Sequence, residues 1–206
     1  MHARAIAICL TFLLATAAVG CSASDRESDT TTSSPASNLL VLRPDGIGPF
    51  RIGADASAVI EGISAEIGGW SADTDEGENT IPLPSCQGGS TRLVAWDNLV
   101  LLFSGPEGAS TFHSWTYGFD PVTGNAEDVR KLGLRTVDGI GLGTTRTEVE
   151  AVLGTRVTIV DDPTIDVATF TIDGTDATHV SGRFPDLDAD TRVQTLASEP
   201  GCSGTS

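Results

Sequence analysis

Residues 136–154 read TVDGIGLGTTRTEVEAVLG, and the interpretation of this stretch decides the fold that the sequence predicts. An earlier stretch, residues 43–63, reads RPDGIGPFRIGADASAVIEGI. The two align when Gly53 is matched with Gly143, and the apolar residues that follow them align as well. The glycines therefore have two interpretations: a loop that cradles phosphate, or the start of a structural unit that is used twice.

The glycine spacing does not fit the known phosphate-binding loops. A dinucleotide-binding loop has the pattern G-x-G-x-x-G, and a Walker loop ends in G-K followed by Ser or Thr. Here the spacing is G-x-G-x-G, Thr144 occupies the place of the third glycine, and no lysine follows. Asp138, Glu148 and Glu150 add negative charge around the loop. A turn that needs positive φ explains the glycines without any ligand, so we predict no nucleotide and no other cofactor.

Each stretch continues into a short amphipathic helix. In the second, Thr145 precedes Glu148 by three residues, which is the spacing of a capping box, and Gly154 is placed to end the helix. In the first, Asp55 is a suitable N-cap for a helix with Val59, Ile60 and Ile63 on one face.

Strand-like segments follow each helix. Asp97-Asn98 suits a tight hairpin between two apolar runs, and Asp173-Gly174 occupies the corresponding place in the second half. A third strand is predicted from Ser110 and another from Thr191. The fold class predicted is α+β, with two tandem helix-plus-antiparallel-strand repeats that form a curved sheet with helices on one face. The repeat units are residues 39–125 and 126–206.

The helix start LGTTRTEVEAVLG, residues 142–154, resembles that of the small outer-membrane assembly lipoproteins of the SmpA/OmlA (BamE) type. Two such units in tandem resemble the β-lactamase inhibitor protein, and the same layout occurs in actinobacterial lipoproteins. The resemblance covers about fifteen residues in each copy and implies helices packed on one side of a curved antiparallel sheet. The chain departs from the inhibitor in its cysteines. The inhibitor's disulfide bridges lie within each repeat, whereas Cys86 and Cys202 fall in different repeats. The resemblance therefore concerns the fold and does not transfer an inhibitory function.

The first twenty residues have the features of an export signal. Arg4 provides a positive start, and Ala5 to Val19 form an apolar stretch too short for a membrane span. The stretch ends in Ala18-Val19-Gly20-Cys21, which resembles a bacterial lipobox and predicts lipidation of Cys21. Ordinary secretion, with cleavage after a small residue, is the alternative. Residues 21–38 lack large apolar side chains and predict a disordered Ser/Thr-rich tether.

The remaining cysteines and the net charge bear on the predicted location and partners of the protein. A predicted extracytoplasmic location favours a disulfide between Cys86 and Cys202, although a metal pair or a reactive thiol are the alternatives. The formal net charge of −16 opposes binding to phosphate backbones, so nucleic acid is not a predicted partner. The predicted location is the outer, extracytoplasmic side of the cell membrane, with the lipid on Cys21 as the anchor.

No motif of a catalytic site is recognisable. The chain has neither G-x-S-x-G nor H-E-x-x-H, and His113 and His179 lie in strand-like runs without ligand spacing. Residues Asp186, Asp188 and Asp190 alternate like the start of a calcium loop, but Thr191 stands where glycine is required. A solvated turn is the simpler interpretation. We predict no enzyme and no metal site.

One strand suggests a binding surface. In FHSWTYGF, strict alternation would place His113, Trp115 and Tyr117 on one side of a strand, and large amphipathic residues of this kind serve as interface anchors. The alternative is that the row faces the helices and forms core. The predicted function is a non-catalytic cell-envelope lipoprotein that binds an envelope or extracellular protein or acts as a scaffold. The alternative is an inhibitor or sequestering protein for an exported enzyme.

Overall fold

The computed structural model describes residues 40–75, 90–106, 108–118, 132–172 and 178–200. Contacts divide the chain into two units, Met1–Ser33 and Ser34–Ser206, and every described residue lies in the second. Across these described ranges, no helix combines the length and the apolar character that a membrane crossing requires.

Strands make up most of the regular structure in the described ranges. Three two-residue strands come first: β1 (Leu42–Arg43), β2 (Gly46–Ile47) and β3 (Phe50–Arg51). Helix α1 (Ala56–Ile67) precedes β4 (Ala72–Asp73), β5 (Ser90–Trp96), β6 (Leu99–Gly105) and β7 (Thr111–Tyr117). Helix α2 (Arg146–Leu153) and a 3₁₀ turn (Gly154–Arg156) precede β8 (Val157–Asp162), β9 (Val167–Ile172), β10 (Thr178–Phe184) and β11 (Thr195–Pro200).

The strands form two antiparallel sheets. β1, β2 and β3 form a small sheet, and the other eight strands form a large one in the order β4-β5-β6-β7-β11-β10-β9-β8. The first and second halves of the chain join where Leu196 and Ala197 of β11 pair with Tyr117 and Thr116 of β7. All sheet partners in these registers run antiparallel.

The prediction of an α+β fold made of two tandem helix-plus-strand repeats is wrong. The described chain is mostly β, with only two α-helices, and its main body is one continuous eight-stranded sheet. Both predicted helices form, but each half of the chain contributes four strands to the large sheet instead of the predicted three. The strands that the sequence did not predict include β8, with its alternating residues Val157, Thr158, Ile159 and Val160, and the small sheet of two-residue strands before α1.

The local predictions around the helices are confirmed. Thr145 and Glu148 form the capping box, since each side chain accepts a hydrogen bond from the other residue's backbone N–H. Asp55 caps α1 by accepting from the N–H of Ala58 at 3.0 Å. The hairpin at Asp97-Asn98 also forms, with Asp97 in the left-handed region at φ 51°. The second predicted hairpin, at Asp173-Gly174, lies outside the described residues.

The two glycine stretches share the hydrogen bonding of the junction that leads into each helix. Gly53 N–H donates to the carbonyl of Phe112, and Gly143 N–H donates to the carbonyl of Val193. In return, Phe112 N–H donates to Ala54 O and Val193 N–H donates to Thr144 O. Each junction is thereby tied to the chain entering β7 or β11. Gly53 and Gly143 have φ of 91° and 82°, which explains the use of glycine at both positions.

One face of the large sheet carries the core. Alternate residues of its strands are buried against the helices and the small sheet, and Trp96 Nε1 donates to Ser64 Oγ of α1 at 3.2 Å. The helices contribute their apolar faces to the same cluster. We call this the packed face; its buried residues are Val94, Trp96, Leu99, Leu101, Phe103, Phe112, Trp115, Tyr117, Ala168, Phe170, Ile172, Val180, Phe184 and Leu196.

Candidate functional site

The backbone N–H groups of the glycine loop are used within the protein. Gly139 N–H donates to Thr136 O, Ile140 N–H to Thr136 Oγ1, and Gly141 N–H to Thr144 Oγ1. Gly143 N–H donates to the carbonyl of Val193, as described above. A loop that cradles phosphate presents its N–H groups outward. These hydrogen bonds instead agree with the interpretation of the glycines as a structural turn.

Two arginines hold the carbonyl side of the same loop. Arg135 donates to Gly139 O at 2.7 Å and Arg192 donates to Gly143 O at 2.9 Å. They line a groove of about 370 Å³ together with Glu148. Hydrogen bonds from the Thr145 backbone and hydroxyl lower the pKa of the Glu148 carboxyl, and both arginines lower it further. Charges of both signs therefore meet in this groove, which we call the loop groove.

The predicted interface row is wrong for Trp115 and Tyr117. Each is only 1% exposed and lies on the packed face. Trp115 Nε1 donates to Arg43 O at 2.9 Å, and the Tyr117 hydroxyl accepts from Gly133 N–H at 3.0 Å. Burial raises the pKa of the Tyr117 hydroxyl. Both residues are core, as the alternative interpretation of the row proposed.

A β-bulge in β7 explains why this strand departs from strict alternation. Phe103 pairs with Phe112 but Leu102 pairs with Ser114, so His113 is an extra residue in β7. The bulge places Phe112 and Trp115 on the same face and leaves His113 half-buried beside Ser114. Burial lowers the pKa of the His113 imidazole. Phe112, which strict alternation places on the other side, therefore shares the packed face with Trp115 and Tyr117.

The large sheet has a second face, opposite the core, and we call it the open face. Register places on it the alternate residues of β5 to β11 that do not belong to the packed face. Ala95, Val100 and Val167 are buried, and the other side chains of this face that the structure describes are half-buried or exposed. By register the open-face residues are Thr91, Leu93, Ala95, Val100, Leu102, Ser104, Thr111, Ser114, Thr116, Thr158, Val160, Asp162, Val167, Thr169, Thr171, His179, Ser181, Arg183, Thr195, Ala197 and Glu199.

By register, the charged positions on this face are Asp162, Arg183 and Glu199, whereas the open-face residues of β5, β6, β7 and β9 are all uncharged. In the whole chain 19% of the residues are charged, and the net charge is −16. A hollow of about 290 Å³ lies over β9, β10 and β11, and hydroxyl-bearing side chains dominate its lining, with Arg183 at one end. The open face thus offers hydroxyl and small apolar groups over several strands. Neither the hollow nor the loop groove has a histidine in its lining.

The other sequence-predicted sites are placed as follows. Asp188 N–H donates to the carboxylate of Asp186 at 3.1 Å, which is the hydrogen bond of a tight turn, and Asp190 is exposed nearby. In the part of the chain that the structure describes, no group of three or more His, Cys, Asp or Glu side chains could hold a metal ion. Cys21, Cys86 and Cys202 lie outside the described residues, so lipidation and the disulfide stay predictions.

Helices on one face of the predicted sheet leave the opposite face accessible, so an open face was predicted, but its residues were not identified. Trp115 and Tyr117, which were assigned to an accessible face, lie on the packed face. A signal was present in VATFTI, residues 167–172, where Thr169 and Thr171 alternate with Ala168, Phe170 and Ile172. Such alternation is typical of a strand with one face toward the core and one toward solvent. Comparisons of the chain with family models, with curated proteins and with solved structures gave no match.

Proposed function

We propose that the chain is a non-catalytic lipoprotein of the cell envelope that binds another envelope or extracellular protein through its open face. The observation that carries the proposal is that none of the open-face residues of β5, β6, β7 and β9 is charged, in a strongly acidic chain. The centre of a protein–protein interface is depleted of charged residues, because a charge removed from water without a partner is costly. A sheet face with no binding role would be expected to carry more of the chain's many carboxylates.

The chemistry of the face also indicates the kind of partner. The open face lacks the aromatic residues that usually anchor an interface, so we infer that the partner supplies them. Its threonine and serine hydroxyls both donate and accept hydrogen bonds, which suits the polar tip of a Tyr or Trp side chain. The hollow over β9, β10 and β11, which contains Thr171 and Ala197, is the place we assign to such a side chain.

The binding proposal is tested by capture from an envelope extract with the immobilised full chain. Introducing Thr171→Arg and Ala197→Arg together places two charges in the hollow, and we expect at least about a tenfold loss of affinity for the captured protein. Val137→Arg is the matched control, because Val137 is 61% exposed in the turn before the glycine loop. Circular dichroism of each variant checks that it is folded. Capture that is unchanged by the open-face variant, or equally weakened by the control, contradicts the proposal.

The envelope location is tested separately through the proposed lipid anchor. Cells that express the chain are grown with a fatty-acid probe, and we expect the probe to label the protein and the protein to sediment with membranes. Cys21→Ala should abolish the label and release the protein, because the acyl chains would supply the membrane affinity. Labelling that persists in the Cys21→Ala variant would show that the anchor is elsewhere.

A further inference from the structure

Strand β8 leaves one long edge of the large sheet open. All six of its residues pair with β9, from Val157 opposite Ile172 to Asp162 opposite Val167. β8 is the last strand of the sheet, and no strand of the described chain pairs with its other side. Its side chains are also accessible, since Thr158 is exposed and Val160 is 59% exposed. Half of its backbone N–H and C=O groups therefore have no strand partner among the described residues.

This edge lacks most features by which proteins protect edge strands. Natural edges are kept short, are bent by bulges or carry lysine or proline within the strand. The opposite edge of the sheet follows that rule, because β4 has only two residues, Ala72–Asp73. β8 has six residues in continuous register with β9 and contains neither lysine nor proline. Its centre, from Thr158 to Val160, is thus a template for another strand.

The surroundings of β8 are acidic. Asp161 and Asp162 end the strand, and Asp166 lies exposed in the turn that follows. The guanidinium of Arg146 on α2 is already engaged by two carboxylates, at 2.9 Å from Asp161 and 3.3 Å from Glu150. Carboxylates therefore outnumber guanidinium groups around this edge, and they favour a cationic segment.

We propose that β8 binds an extended cationic segment of the partner protein, which adds to the sheet as a further antiparallel or parallel strand. The inference rests on the proposed function, since it names the partner's chemistry at the border of the open face. Main-chain hydrogen bonds to β8 supply the affinity. Alternate lysine or arginine side chains of the segment lie on the same face as Val160 and Asp162 and approach Asp162, and the residues between them lie on the face of Ile159 and Asp161.

A second copy of the chain is a poorer occupant of the same edge. Two copies that pair through β8 bring their aspartates close together, and each copy carries a net charge of −16. Like charges at this density oppose self-association. A cationic segment is instead attracted by the same negative potential.

The test uses the ¹⁵N-labelled full chain and a synthetic peptide, Lys-Val-Lys-Val-Lys-Val-Lys. We expect the peptide to slow hydrogen exchange of alternate amides in β8, which would mark new main-chain hydrogen bonds. A version N-methylated at alternate residues keeps the charge but loses the donors, and it should not protect those amides. Val160→Lys should weaken peptide binding at least about tenfold, whereas the matched variant Val137→Lys should leave it nearly unchanged.

Each other outcome overturns the inference. Equal binding of the N-methylated peptide would show attraction by charge alone, and protection confined to amides outside β8 would assign the peptide to another site. A dimer that Val160→Lys dissociates would identify a second copy as the occupant. If Val160→Lys leaves capture of the envelope partner intact while the open-face variant abolishes it, the edge inference fails and the proposed function stands. If neither variant affects capture, both fail.

Discussion

Replacing Trp115 with alanine is expected to lower the free energy of unfolding by about 3–5 kcal/mol, the range for truncating a large aromatic core side chain. Trp115 is 1% exposed, and its indole N–H donates to Arg43 O at 2.9 Å. Arg43 belongs to β1, so the side chain joins the small sheet to the packed face of the large one. The substitution leaves a cavity and also removes the hydrogen-bond donor from the Arg43 carbonyl. Urea unfolding followed by circular dichroism measures the loss.

Trp70→Ala provides the matched control, because Trp70 is 52% exposed after the end of α1. Its removal should change the free energy of unfolding by no more than about 0.5 kcal/mol, as is usual for a surface position. The contrast separates core from interface for the same residue type. Equally small changes in the free energy of unfolding for the two substitutions would contradict the core assignment of Trp115 and would support the predicted interface row.

The features that the sequence predicted correctly depend on neighbours within a few residues. The capping box of Thr145 and Glu148 and the hairpin at Asp97-Asn98 each involve backbone groups within three residues of the side chain. A local pattern determines such features whatever the rest of the chain does. The start and the end of α2 could therefore be predicted, although the fold class was wrong.

The features that the sequence did not predict depend on contacts across the chain. The faces of Trp115 and Tyr117 follow from one extra residue, His113, and only the pairing of β7 with β6 shows that this residue is a bulge. Strict alternation assigns the wrong faces after any bulge, because one inserted residue reverses the parity of the strand. Similarly, the open face is continuous across both halves of the chain because β7 pairs with β11, which no local pattern indicates.

Substitution of Gly182 by valine is expected to destabilise the protein by about 1–3 kcal/mol or more, the usual cost of overpacking a core. Gly182 of β10 pairs with Phe170 of β9, and the phenyl ring lies over the glycine, where a Cβ would overlap it. No positive φ constrains Gly182, so the reason for glycine is the space that the ring occupies. Phe170 also packs on Phe184, with ring centroids 4.9 Å apart, so displacement of the ring disturbs a second core residue.

A double-mutant cycle tests this reason directly. In a Phe170→Ala background the overlap is absent, so Gly182→Val should cost less there than in the natural chain, with a coupling energy of at least about 0.5 kcal/mol. Ser181→Val is the control on the neighbouring residue, because Ser181 points to the open face and a β-branched side chain there favours the strand. It should leave the free energy of unfolding nearly unchanged. Additive costs of Gly182→Val and Phe170→Ala would mean that the ring does not determine the glycine, and a backbone cause would have to be sought in β10 instead.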